Sequence, residues 1–324
     1  MKFKFTEPWN LILRAGVSIT LLGWLAISFD WMQIGKLILE AHPGWMVVAI
    51  VWIIISMVIS VSKWQLLLYV QKINISWIEL WHAYWAGLFF NNFLPSSIGG
   101  DALRIIWVGK SRDDSSGAAA SVIVERILAT AGIAIVGLSG EFIAGRLDVR
   151  VTVLLTGLLV VSLLLLAIIL QGSLPSALSG RKGRIIKFLQ GIVMHGDRLR
   201  ANRKVLLGVL ILSVAFQVMV VGVNYSAFKA LGISSLDWWD VLYVIPITSV
   251  AAMLPVGING YGVREGAYVV LLASYQVSQE LAFTSSLLFA FLVSLCSLYG
   301  GWTFMVHRRG EGNTNARTTS IPDC

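Results

Sequence analysis

The chemistry-bearing residues of this chain are few, and two of them occupy matching places. Leu94-Pro95 is followed by SSIGGDALR, which puts Arg104 nine residues after the proline, and Leu254-Pro255 is followed by VGINGYGVR, which puts Arg264 nine residues after its own. A guanidinium next to the N-terminus of a short helix suits a phosphate group, because a planar fork of donors and a set of open backbone N–H groups converge on one anion. Gly99, Gly100, Gly260 and Gly262 would let the backbone approach that anion closely. Asp101 and Glu265 flank the arginines and could pair with them or exchange for the substrate; the structural alternative is a set of salt bridges that lock the segments. Glu125-Arg126 lies in ASVIVERILATAG. Neighbours on a helix point about 100° apart, so only one of the two can aim straight into a bundle. A buried Arg126 would add a third phosphate contact, with Glu125 as its partner or as a proton carrier; an interhelical ion pair is the structural alternative. Asn91, Asn92 and Asn259 could hydrogen-bond a headgroup, or cap the ends of broken helices.

Other chemistry is poorly represented. No nucleophile–base constellation and no phosphate-binding Walker loop occurs. The four histidines (His42, His82, His195, His307) are widely separated, and Cys296 and Cys324 are too few for a disulfide framework or a thiolate metal site. We expect no metal, no cofactor and no enzymatic activity. Trp77, Trp81, Trp85, Trp238 and Trp239 read as anchors at the membrane interface.

The elements that must position these residues are membrane helices. Of 324 residues, 57% are hydrophobic and 13% charged, against about 25% charged in soluble domains; mean hydropathy is +0.79. A span needs about 20 apolar residues. Residues 11–29, 44–62, 117–139, 151–170, 205–228 and 281–306 qualify, and the first reads as a retained span rather than a cleaved signal. The regions 77–108 and 237–276 are apolar but broken midway by proline, glycine and polar residues. The segment 171–204 carries eight basic residues against Asp197 alone, so it belongs on the cytoplasmic side. That choice puts both termini inside and leaves eighteen of the 25 basic residues there, Lys63 among them. The positive charge faces anionic lipid, with no basic soluble domain to hold nucleic acid. Part of 181–200 has the pattern of an interfacial amphipathic helix or of a solvated linker, and 307–324 has the composition of a disordered tail.

The arginine segments are parts of a repeat. At an offset of 160, Leu94, Pro95, Ile98, Gly100 and Arg104 match Leu254, Pro255, Ile258, Gly260 and Arg264; upstream, Ile75-Ser76, Glu79 and Trp81 resemble Ile233-Ser234, Asp237 and Trp239 at an offset of 158. On the charge-derived topology the two copies enter the membrane from opposite faces, as in many secondary transporters. Irregular backbone cannot face lipid, so the broken segments must line a protein-walled cavity. The expected fold is an all-α polytopic bundle with an inverted repeat and two re-entrant helical hairpins. It forms one transmembrane domain, 1–306, with halves at about 44–139 and 205–306.

NNFLPSSIGGDALR at 91–104, ASVIVER at 120–126 and LPVGINGYGVREG at 254–266 resemble the flippase-like membrane region of lysylphosphatidylglycerol synthetases, over roughly residues 10–306. The resemblance implies a multi-pass inner-membrane protein that moves an anionic phospholipid, or a polyprenyl-linked or other glycolipid, with the arginines at the headgroup. The aminoacyl-transfer domain of the synthetases is absent from this sequence, so lipid aminoacylation is not implied. Two rival expectations are a non-transporting partner of a lipid or glycolipid synthase and an intramembrane lipid-linked transferase. On the transport reading, alanine at both Arg104 and Arg264 should abolish transport without unfolding the protein.

Overall fold

A computed structural model describes residues 31–93, 99–112, 114–172, 190–254, 260 and 262–318, with the side chains of 110–112 and 307–318 excepted. The first span at 11–29, both proline-centred breaks, Asn259 and much of the 171–204 loop lie outside the described residues. Within them the chain is helical and contains no strand: α1 (Trp31–Leu39), α2 (Pro43–Val70), α3 (Trp77–Phe93), α4 (Gly99–Arg112), α5 (Ser115–Ile143), α6 (Val149–Leu170), α7 (Gly196–Ala201), α8 (Arg203–Ala230), α9 (Trp238–Met253), α10 (Val263–Ala273) and α11 (Gln279–Thr318). Five stretches are long and apolar enough to cross a membrane: α2, α5, α6, α8 and residues 279–306 of α11. They correspond to the five expected spans that are described. The last helix runs on to Thr318, through residues whose composition suggested disorder.

Local signals start these helices where they start. The His42 ring accepts from the Gly44 N–H (3.2 Å) just ahead of α2, which has Pro43 in its first turn. Asp114 accepts from the Gly117 N–H (2.8 Å) to cap α5. Asp237 accepts from the Trp239 and Asp240 N–H groups, while Asp240 accepts back from the Asp237 N–H, which completes a capping box for α9.

Both broken regions resolve into helix pairs, α3–α4 and α9–α10. Each pair follows a long span (α2, α8) and precedes another (α5, α11). The packing is reciprocal. α2 lies against α8, α3 packs on α11, and α9 packs on α5. The two cross-contacts use glycines 160 residues apart. A Cβ on Gly140 would sit 2.6 Å from the Leu242 carbonyl oxygen of α9, and one on Gly300 would collide with the Trp85 carbonyl of α3. Trp85 is thus buried under Tyr299 (ring centroids 5.7 Å apart) rather than at an interface, whereas Trp239 is exposed.

Candidate functional site

The residues singled out by type and spacing gather into two centres. In the first, Arg104 from α4 and Glu125 from α5 form a buried ion pair. Glu125 also accepts from the Tyr84 hydroxyl (2.9 Å) and lies 3.5 Å from the Lys63 ammonium of α2. The Arg104 guanidinium packs against the rings of Trp64 and Tyr84, 4.1 and 4.0 Å from their centroids; such cation–π contact stabilises a desolvated cation. The Trp64 indole N–H donates to Ser121 Oγ (3.0 Å), which fixes one of those rings. Lys63 rests against Phe216 of α8, 4.6 Å from its centroid.

The outer half of this centre is Asp101 and Arg126. Asp101 accepts from Arg126 through both oxygens (2.8 Å from Nε, 2.7 Å from Nη2) and reaches Arg104 Nη1 at 3.4 Å. The helix-angle argument holds: Glu125 points inward and is buried, while its neighbour Arg126 points away, its side chain 53% exposed. Arg126 is therefore not the buried third contact expected of it. It is an accessible guanidinium already occupied by a bidentate carboxylate. Lys63, Arg104 and Arg126 oppose Glu125 and Asp101, three cations against two anions. The Nε of Arg104 and Nδ2 of Asn92 are buried without a hydrogen-bond partner.

The second centre is Arg264 and Glu265 at the start of α10. Glu265, fully buried, accepts from Arg264 (2.7 Å from Nη2) and from the Gly262 N–H (2.6 Å). Ser286 of α11 accepts from Arg264 Nε (3.2 Å). Near it, Tyr268 and Asn224 of α8 form a buried hydrogen bond. Among the described residues, one ion pair forms here.

The glycines have local roles in the backbone. Gly100 lies against the Gly87 carbonyl and the Asn91 side chain, where no Cβ fits, so it lets α4 cross α3 closely. Asn91 accepts from the Gly100 N–H (2.8 Å) and so caps α4. Gly260 and Gly262 adopt φ of +73° and +85°, where glycine is favoured. Gly99 opens α4. No His/Cys/Asp/Glu grouping suited to a metal occurs among the described residues.

Lys63, Tyr84 and Trp64 escaped the sequence reading. Lys63 was assigned to a cytoplasmic loop because the span was ended at residue 62. The signal was present: WQLLLYV continues the apolar run for seven residues beyond the lysine, and α2 ends only at Val70. A lone cation inside a span is a functional candidate in its own right. Arg104 is buried on Glu125, so its alanine variant should also lose stability, because removing one member of a buried pair leaves the other short of its partner.

Comparison with known proteins matches residues 11–300 to the family described as the lysylphosphatidylglycerol synthase transmembrane region. A UPF0104 membrane protein of Pyrococcus horikoshii is 24% identical over 308 residues, covering 86% of this chain and 90% of its own. A UPF0104 membrane protein of Methanocaldococcus jannaschii is 27% identical over 134 residues, covering 40% of this chain and 39% of its own.

Proposed function

Because the chain belongs to the lysylphosphatidylglycerol synthase transmembrane-region family, we propose that it is a transporter that moves an anionic, phosphate-bearing lipid or glycolipid across the inner membrane, with both termini cytoplasmic. The observation that carries this reading is the uncompensated cation of the first centre. Arg126 is held at its accessible side by a carboxylate in the two-pronged geometry a phosphate would adopt. An arriving headgroup takes the place of Asp101 on Arg126, and the fixed positive charge behind it, Lys63 and Arg104 on Glu125, offsets the cost of drawing the anion from the membrane surface. The tails stay in lipid.

The architecture in this proposal is an inverted repeat, α2–α5 and α8–α11, with α3–α4 and α9–α10 as re-entrant hairpins. The reciprocal packing of α3 on α11 and α9 on α5, with Gly140 and Gly300 at the crossings, supports it. Two such halves can exchange roles when an alternating-access protein opens first to one face and then to the other.

The test is lipid movement in proteoliposomes with labelled phosphatidylglycerol, aminoacylated phosphatidylglycerol, polyprenyl phosphate and phosphatidylcholine. Wild type should move one anionic class and leave phosphatidylcholine in place. Arg126→Gln, which leaves the buried pair intact, should abolish that movement. Normal transport by Arg126→Gln would remove the first centre from the mechanism. A folded wild type that moves none of the probes would overturn the transport reading in favour of a partner of a lipid synthase.

A further inference from the structure

The cytoplasmic end of α2 carries a feature that the two arginine centres do not use. After Val70 the chain reverses through a turn in which the Lys72 N–H donates to the Tyr69 carbonyl (2.9 Å) and the Ile73 N–H to the Leu68 carbonyl (3.0 Å). Lys72 sits at the left-handed position of that turn, φ +63°. The same turn ends α5 at Gly145 and α8 at Gly232, with glycine in the left-handed place, as the geometry favours. Lysine there bears a backbone strain that glycine would relieve; among the described residues Gln276 is the other side-chain-bearing exception.

What the lysine side chain faces is a cavity of about 580 Å³, lined by Gln71, Lys72, Ile73, Asn74, Asp114 and Arg198. Arg198 is aimed by its hydrogen bond to the Gln71 carbonyl (2.9 Å) at the end of α2. Asp114 is committed to the start of α5, where it accepts from the Gly117 N–H and the Ser116 hydroxyl. Among the described residues, two cations thus meet one engaged carboxylate. A second cavity of about 400 Å³ adjoins the first, shares Ile73 and Asn74 with it, and continues along α2 over Leu66 and the exposed Tyr69.

A cationic recess continuous with an apolar groove on the side of a membrane helix matches one class of ligand. We propose that this is a binding site for an anionic phospholipid, with its phosphate on Lys72 and Arg198 and its first acyl carbons on Leu66 and Tyr69. Lys72 is nine residues beyond Lys63 on the same helix and its turn, about 14 Å along the axis, so the site is distinct from the buried centre. It stands whether or not the protein transports lipid, because it concerns binding alone.

The experiment is native mass spectrometry of the full-length chain in detergent, with added phosphatidylglycerol or phosphatidylcholine, read beside thermal unfolding. Wild type should retain phosphatidylglycerol in preference to phosphatidylcholine. Lys72→Gly should weaken that retention about tenfold, the loss of roughly one charge-assisted contact, while the melting temperature is unchanged or raised. Lys72→Met, which keeps the side-chain stem and removes the charge, should lose retention equally and carries the measurement if the glycine variant misfolds. Unchanged retention in both variants overturns the proposal, as does an equal loss in Lys204→Gln, an exposed lysine outside the recess, which would reduce the effect to surface charge. Displacement of phosphatidylglycerol by millimolar inorganic phosphate would overturn the lipid assignment in favour of a free-anion site.

Discussion

The two arginine centres occupy equivalent places in the chain, yet they are built to different electrical ends. Around Arg104 the counter-charge comes from another helix: Glu125 of α5 lies between Arg104 of α4 and Lys63 of α2, and Asp101 ties the group to Arg126. Around Arg264 the counter-charge is the next residue, Glu265, helped by Ser286. The first centre joins three helices and sets three basic side chains against two carboxylates; the second sets one arginine against one glutamate at a helix start. Equivalent placement therefore does not make equivalent function. On the proposed reading the first centre receives the anion, and the second holds α10 against α11.

Glu125→Gln tests this difference most severely. It leaves Lys63 and Arg104 facing each other with no carboxylate between, and should cost about 3–5 kcal/mol, read as a large fall in melting temperature. Glu265→Gln should cost less, about 1–3 kcal/mol, because Arg264 is partly exposed and keeps Ser286. Equal losses would erase the distinction. Gly140→Ala and Gly300→Ala probe what the halves share: each forces a methyl group into a helix crossing and should cost about 1–3 kcal/mol, and a silent variant at one of them would break the reciprocity. Lys63→Met should change stability by about 1.5 kcal/mol or less, since the Arg104–Glu125 pair persists as a neutral unit, but it removes the excess charge and should reduce anionic-lipid movement to the level of Arg126→Gln. Arg126→Gln itself should alter stability by less than about 1 kcal/mol, as expected of an exposed pair.

The smallest expected effect lies outside both centres. His195 bridges Gln71 Oε1 (2.9 Å) and Ser116 Oγ (3.1 Å), where the end of α2 meets the start of α5. Partial burial holds its pKa below the usual 6.5, with Arg198 acting in the same direction and Asp114 opposing. The folded state then binds fewer protons than the unfolded one below 6.5, so the stability this contact contributes is complete above that value and is lost as pH falls through the lowered pKa. Melting curves between pH 7.5 and 5 should show a modest decline that His195→Gln flattens.

Much of this was legible in the linear chain. Apolar runs of about 20 residues located all five described spans, since a backbone in hydrocarbon must satisfy its own hydrogen bonds and only a helix does so within one segment. The matching segments were legible because each arginine follows a Leu-Pro pair at the same distance. The angle between adjacent helical residues sufficed to say that Glu125 and Arg126 could not both point inward.

Which of the two did so was decided by packing, and so was the company Glu125 keeps. Lys63 and Tyr84 lie 62 and 41 residues from it in sequence, and no local pattern links them. They meet because α3 and α5 both pack on α2, bringing a lysine, a tyrosine and a glutamate together. The glycines show the same division. Their sequence allowed any close approach, and the fold places Gly100, Gly140 and Gly300 at helix crossings. Composition and periodicity act within a segment and dictate helices and their lengths; partners, exposure and net charge at a site arise between segments, where shape selects which faces touch.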